Sequence, residues 1–115
     1  MAGEARLICR SDELTEGGKG MRFELPGSKR PIAAFVIRYD GRVFGYWNMC
    51  PHAGTELDWQ HGEFFDESGL YLMCATHGAV FAPENGYCLG GPCARQKLIA
   101  LDVFERDGNV YLMND

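Results

Sequence analysis

Two short segments, each pairing a cysteine with a histidine, constrain the fold of this 115-residue chain more than any other feature. The first has one residue between Cys50 and His52, and the second has two between Cys74 and His77. A glycine follows each histidine within two residues, so the backbone can turn away without a Cβ clash. Two such loops can direct two sulfur and two nitrogen ligands at one centre, so the fold should bring them together.

Two kinds of metal centre use such a ligand set. One is a structural tetrahedral zinc ion. The other is a [2Fe-2S] cluster with cysteines on one iron and histidines on the other. Zinc fingers usually pair cysteine with cysteine and histidine with histidine, whereas each half here mixes the two types. The spacing therefore favours the iron–sulfur cluster and leaves zinc as the alternative.

The remainder of the chain predicts β-structure. Fifteen glycines and five prolines indicate many sharp turns. Asp40-Gly41 and Asp107-Gly108 each separate two apolar runs, which favours two-residue hairpin turns because both central residues can adopt positive φ. The predicted strands lie at residues 6–9, 21–25, 32–39, 42–47, 98–105 and 110–113. The stretch between the hairpins shows no sustained helical periodicity and is expected to be built of loops.

The two cysteine–histidine segments resemble the cluster loops of the Rieske family. A third segment, Gly90-Gly91-Pro92, resembles the proline loop that covers the cluster in that family, and the likeness extends over about residues 33–113. The resemblance implies an all-β fold, with an antiparallel sandwich or barrel base. It implies a single domain over residues 1–115, with a loop-rich cluster-binding subdomain at about 46–93 inserted in the base. It also implies one [2Fe-2S] cluster per chain, with four ligands: Cys50, His52, Cys74 and His77.

The same resemblance implies a small electron carrier of the soluble, low-potential ferredoxin type. Its partners would be a flavoprotein reductase and a terminal oxygenase or reductase. The chain has no flavin or nicotinamide fingerprint. Its two loop histidines are already assigned to the cluster, so no mononuclear iron motif of two histidines and a carboxylate is seen. We therefore expect an electron-transfer component more than an enzyme by itself. Two alternatives are the small Rieske subunit of a multisubunit reductase, such as a nitrite reductase, and a zinc-stabilised binding module.

Charge and hydropathy narrow the range of partners and compartments. The net charge is −5 and no basic cluster runs along the chain, so nucleic-acid binding is not expected. No long apolar run is present, and residues 1–10 show neither a hydrophobic signal region nor a small-residue cleavage site. We therefore expect a cytoplasmic protein without a membrane span.

The resemblance also predicts the redox range. High-potential Rieske proteins carry a disulfide between the two cluster loops, and the matching positions here are Thr55 and Thr76. They also place a serine and a tyrosine hydroxyl against sulfur, where this chain has Ala79 and Phe81. The resemblance thus implies a potential at the low end of the Rieske range.

The other residues of interest have simpler expected roles. His61 is predicted to be a solvated loop residue, and Cys9, Cys88 and Cys93 small buried thiols, with a Cys88–Cys93 disulfide as the alternative. Residues 59–68 are expected to form a surface excursion, although aromatic residues there, such as the Phe64-Phe65 pair, usually anchor a loop or core. An acidic stretch is expected to be a solvated face or, alternatively, a docking patch: Asp58, Glu63, Asp66 and Glu67.

Overall fold

The computed structural model describes residues 4–51, 55–58, 60–76, 78–91 and 96–114. Within them a short 3-10 helix spans Ser11–Glu13, and no helix is long and apolar enough to cross a membrane. The strands, in chain order, are β1 (Glu4–Arg10), β2 (Met21–Leu25), β3 (Ile32–Tyr39), β4 (Arg42–Trp47), β5 (Leu72–Met73), β6 (Val80–Phe81), β7 (Cys88–Gly90), β8 (Ala100–Leu101), β9 (Val103–Arg106) and β10 (Asn109–Asn114).

In the part of the chain that the structure describes, the strands form three sheets, in which every pair of neighbouring strands is antiparallel. One sheet has the order β1-β10-β9, and the second has the order β2-β3-β4-β8. The third and smallest has the order β5-β6-β7. The predicted all-β, antiparallel fold is therefore confirmed.

Both predicted hairpin turns are present. Asp40 and Gly41 have φ values of 54° and 73° and connect β3 to β4. Asp107 and Gly108 have φ values of 54° and 80° and connect β9 to β10. Positive φ at both central residues is the geometry that matches the right-handed twist of the flanking strands.

The single strand predicted over residues 98–105 is wrong, because the chain changes sheets at Asp102. Before it, β8 pairs with β4, and after it β9 pairs with β10. The carbonyl of Asp102 accepts a hydrogen bond from the Met113 N–H at 2.9 Å. The alternation of apolar residues runs unbroken through Leu101 and Val103, so the sequence pattern carries no sign of the change in partner.

Strand β3 lies between two hydrophobic clusters. Phe35 and Ile37 belong to the larger cluster, and Val36 belongs to a smaller one with Cys9 and Val110. Because both of its faces are covered, β3 is apolar along most of its length and does not alternate with polar residues. The larger cluster also contains Cys50 and Cys74, so the base and the two cysteine-bearing loops share one core.

The segment between these two loops is part of that core. Phe64 is fully buried and Phe65 is 8% exposed. The Phe64 ring stacks on Phe35 with its centroid 3.9 Å away. The expectation of a surface excursion at residues 59–68 is therefore wrong for the Phe64-Phe65 pair, while its expected role as an anchor is confirmed.

A buried tyrosine attaches the smallest sheet to the base. The hydroxyl of Tyr46, in β4, donates a hydrogen bond to the carbonyl of Pro83 at 2.7 Å. Burial raises the pKa of this phenol well above its usual range, so it stays protonated and remains a donor. The turn at residues 83–86, which precedes β7, is thereby fixed to the base.

Candidate functional site

Two buried cysteines stand at the bases of two loops. Cys50 comes three residues after β4 and is 1% exposed, and Cys74 directly follows β5 and is fully buried. The Cys50 N–H donates to the Thr55 carbonyl at 2.7 Å, and the Cys74 N–H donates to the Ala79 carbonyl at 2.8 Å. In each loop, a backbone hydrogen bond from the cysteine N–H to a later carbonyl therefore holds the two ends of the loop together.

Direct hydrogen bonds between described residues connect these loops. The Ala75 N–H donates to the Leu57 carbonyl at 3.0 Å. Near the loop tips, the hydroxyls of Thr55 and Thr76 lie 3.0 Å apart, within hydrogen-bond distance. The threonines at the positions matched to the inter-loop disulfide thus contact each other, and the loops meet as the sequence requires.

The chemistry of the described residues fits the cysteine half of an iron–sulfur cluster. Cys50 and Cys74 are shielded from water, and thiolates in such surroundings are the ligands that these clusters use. Thr55 and Thr76, in the same two loops, are exposed, so a group held by the cysteines would lie close to the surface. His52 and His77 lie outside the described residues, and so does Pro92.

The start of the predicted proline loop contacts the second cysteine loop. Gly91 has a φ of +95°, and a Cβ atom on it would lie 2.9 Å from the Cα of Ala79. This approach is closer than any residue with a side chain allows. The segment leading to Pro92 therefore packs against the fully buried Ala79, beside Cys74.

Asp58 is not part of an acidic surface. Its side chain is 0% exposed and accepts hydrogen bonds from Arg22, Asn48 and the Gly62 N–H. The expected solvated face and the alternative of a docking patch are therefore both wrong for this residue. Asn48, which the sequence analysis did not single out, belongs to the same buried network; its place two residues before Cys50 was the available signal.

The other three acidic residues lie together beside the second loop. Glu63, Asp66 and Glu67 line a groove of about 410 Å³ whose apolar lining includes Met73 and reaches Ala75, the residue after Cys74. Acidic groups close to a cysteine loop are in a position to influence the approach of a charged partner.

The remaining candidate residues have the following surroundings. His61 is exposed, as predicted. Cys9 is 7% exposed, as expected of a small buried thiol, and burial raises the pKa of its thiol to about 11. Cys88 takes part in a disulfide. For this residue the expected buried thiol is therefore wrong, and a disulfide, the alternative, is present. Cys93, the partner in that alternative, lies outside the described residues.

Comparison with known families identifies the chain. The model of the Rieske [2Fe-2S] domain matches residues 4–110. The chain belongs to this family. The family binds a [2Fe-2S] cluster, so the family and the cofactor expected from the two loops are confirmed, and zinc is not the metal of this family.

Solved structures share the fold of this Rieske domain. The ferredoxin of carbazole 1,9a-dioxygenase from Nocardioides aromaticivorans aligns with a TM-score of 0.76 at 22% identity, covering 96% of this chain and 98% of that one. A ferredoxin from Sphingomonas yanoikuyae aligns with a TM-score of 0.69 at 23% identity, covering 97% and 100%. A reduced complex between oxygenase and ferredoxin in carbazole 1,9a-dioxygenase aligns with a TM-score of 0.75 at 24% identity. The Rieske domain spans 28% of the chain matched there, and 29% in two further such complexes. No curated protein sequence matches it.

Proposed function

We propose that this Rieske domain is a one-electron carrier that takes electrons from a flavoprotein reductase and delivers them to a terminal oxygenase or reductase. The ligands of its cluster would be Cys50, His52, Cys74 and His77. When bound, the cluster supplies reversible one-electron transfer. The observation that carries the proposal is the burial of Cys50 and Cys74 close to the exposed Thr55 and Thr76, in a chain that aligns with nearly the whole length of two ferredoxins.

The proposal assigns cluster binding and structural support to different parts of the chain. Residues 1–115 would act as one domain, with the cluster-binding part at about 46–93. The smallest sheet, the proposed ligands Cys50 and Cys74, and the groove lined by Glu63, Asp66 and Glu67 all lie in that range. The two larger sheets would form the base that keeps the loops in place. Cytoplasmic residence remains part of the proposal.

Docking would occur over the loops, since electron transfer weakens steeply with distance. Leu89, in β7 next to the Gly90-Gly91 segment, is 57% exposed and would lie in the contact. Such redox contacts are typically small, with less than ~1,200 Å² buried. Glu63, Asp66 and Glu67 would steer a basic partner toward the second loop, so the transfer rate should fall as salt is added.

Two exposed leucines provide a matched test of the docking face. Leu89 and Leu7 are each 57% exposed, but Leu7 lies in β1 of the base. Leu89→Arg should slow reduction by the reductase, or oxidation by the terminal protein, by about tenfold or more, because an unsatisfied polar group buried in the contact costs about 1–3 kcal/mol and an unpaired charge costs more. Leu7→Arg should leave the rate unchanged. The measurement is stopped-flow absorbance of the cluster with the physiological partners.

Other outcomes would change the proposal. If Leu7→Arg slowed electron transfer and Leu89→Arg left its rate unchanged, docking would use the base. If the isolated chain oxidised a small molecule by itself, the carrier role would be wrong. Stable co-purification with a large redox subunit would favour the reductase-subunit alternative over a free ferredoxin.

The midpoint potential gives an independent prediction. Ala79 and Phe81 are both fully buried and neither has a side-chain hydroxyl to donate to sulfur. Hydrogen bonds to sulfur stabilise the more negative, reduced state, so their absence lowers the potential. We expect a midpoint near −150 mV, as opposed to about +300 mV at the high end of the Rieske range. Ala79→Ser combined with Phe81→Tyr should raise it in a redox titration. A wild-type midpoint above roughly +100 mV would contradict this explanation.

A further inference from the structure

A buried carboxylate connects the base to the first cysteine loop. The side chain of Asp58 is 0% exposed, and its two oxygens accept hydrogen bonds from three groups. Arg22, in β2, donates through Nη1 at 3.2 Å, and the Gly62 N–H donates at 3.1 Å. Asn48 donates through Nδ2 at 3.1 Å.

The network continues from Asn48 to the second loop. Asn48 is 4% exposed, and its Oδ1 accepts the Leu57 N–H at 2.7 Å. The Leu57 carbonyl in turn accepts the Ala75 N–H at 3.0 Å. Asn48 lies two residues before Cys50, and Ala75 directly follows Cys74. A continuous series of hydrogen bonds therefore connects Asp58 to both cysteine loops.

A carboxylate at position 58 suits the three hydrogen-bond donors around it. An ionised carboxylate only accepts hydrogen bonds, whereas an amide in its place would turn an NH₂ group toward one of these donors. The Asp58 carboxylate is removed from water, so it depends on these three donors for its hydrogen bonds and in turn fixes the positions of the groups that bind it. The elements fixed by this network are those that carry Cys50 and Cys74.

We propose that Asp58 is a positioning residue that sets the relative placement of the two cysteine loops, and through it the geometry of the cluster. This inference rests on the proposed ligand set. Asp58 acts through Asn48 and Leu57, whose hydrogen bonds lead to the segments that carry Cys50 and Cys74. A loss of the network should therefore change the spectrum and the retention of the cluster, in addition to the stability of the fold.

A second arginine–carboxylate pair provides a matched control. Arg38, in β3, donates to both carboxylate oxygens of Glu105, in β9, and this hydrogen bonding lowers the pKa of Glu105. Like the Arg22–Asp58 pair, it joins a strand of the β2-β3-β4-β8 sheet to another part of the chain. Unlike that pair, it joins strands of two base sheets. Glu105→Gln therefore tests the loss of a charge pair without a change in the network that joins the cysteine loops.

The test compares Asp58→Asn with Glu105→Gln in the cluster-loaded protein. Asp58→Asn should speed cluster loss to a chelator by about tenfold, the factor expected from a buried polar group left unsatisfied. It should also broaden or shift the electron paramagnetic resonance signal of the reduced protein. Glu105→Gln should lower the denaturant midpoint and leave the signal and the loss rate at wild-type values. Equal effects of the two variants, or a wild-type signal and loss rate in Asp58→Asn, would overturn the proposal.

An exchange variant separates hydrogen bonding from charge. This variant combines Asn48→Asp with Asp58→Asn. The new carboxylate at position 48 can accept hydrogen bonds from the Leu57 N–H and from the new amide at position 58. The oxygen of that amide can accept from Arg22 and from the Gly62 N–H. We expect recovery of the loss rate to within about twofold of wild type. Where Asp58→Asn alone does not fold, a folded exchange variant with a wild-type signal supports the proposal, and one with rapid loss contradicts it. Wild-type protein without iron and sulfide would instead overturn the proposed function and this inference with it.

Discussion

Cys74→Ala should yield a folded chain with little or no bound cluster. Cys74 is fully buried beside the joined loops, and alanine would remove one of the two thiolates that hold the cluster. Iron and sulfide analysis should give two of each per wild-type chain and a near-complete loss in the variant, together with loss of the Rieske resonance signal. Cys50→Ala, His52→Ala and His77→Ala should behave in the same way.

Two control variants make this result specific. Cys9→Ala removes another buried thiol, one that packs in the smaller core cluster with Val110, and it should keep the full cluster. His61→Ala removes an exposed imidazole and should also keep it. A fully assembled cluster in Cys74→Ala, or its loss in Cys9→Ala, would show that the ligand assignment is wrong.

Local chemistry explains which parts of the fold the sequence predicts. The two Asp-Gly turns have positive φ at both positions, a preference that the dipeptide carries wherever it occurs. Strands β2, β3 and β4 have the predicted bounds because each is a run of alternating or continuous apolar residues that ends at a turn or loop signal. The cysteine loops are predictable for a similar reason, since each brings its sulfur ligand within a few residues of a histidine.

Features that depend on distant partners were not predictable. The break at Asp102 exists because the residues before it pair with β4, whereas those after it pair with β10. Phe64 is buried because it stacks on Phe35, far away in sequence. Asp58 has an acidic side chain, but its partner Arg22 is 36 residues away and no local pattern joins them. Its apolar neighbours in the chain, Leu57 and Trp59, were the only local sign of burial.

Gly91→Ala should release the cluster faster by separating two loops, without removing any ligand. A Cβ on Gly91 would lie 2.9 Å from the Cα of Ala79, so the backbone at the start of the proline loop must move away from the second cysteine loop. The φ of +95° adds backbone strain on top of this steric clash. Water should then reach the cluster, and we expect the rate of cluster loss to a chelator to rise by about tenfold or more, consistent with a steric cost of 1–3 kcal/mol.

Gly108→Ala separates the strain from the clash. Gly108 has a φ of +80° in the turn between β9 and β10, and a Cβ there would meet nothing within 4 Å. This variant should cost about 1–2 kcal/mol of unfolding free energy from backbone strain alone. Its cluster-loss rate, followed by visible absorbance under native conditions, should equal that of the wild type. Rapid loss in both variants would mean that general destabilisation releases the cluster, whereas rapid loss in Gly91→Ala alone would show that the close contact between Gly91 and Ala79 protects it.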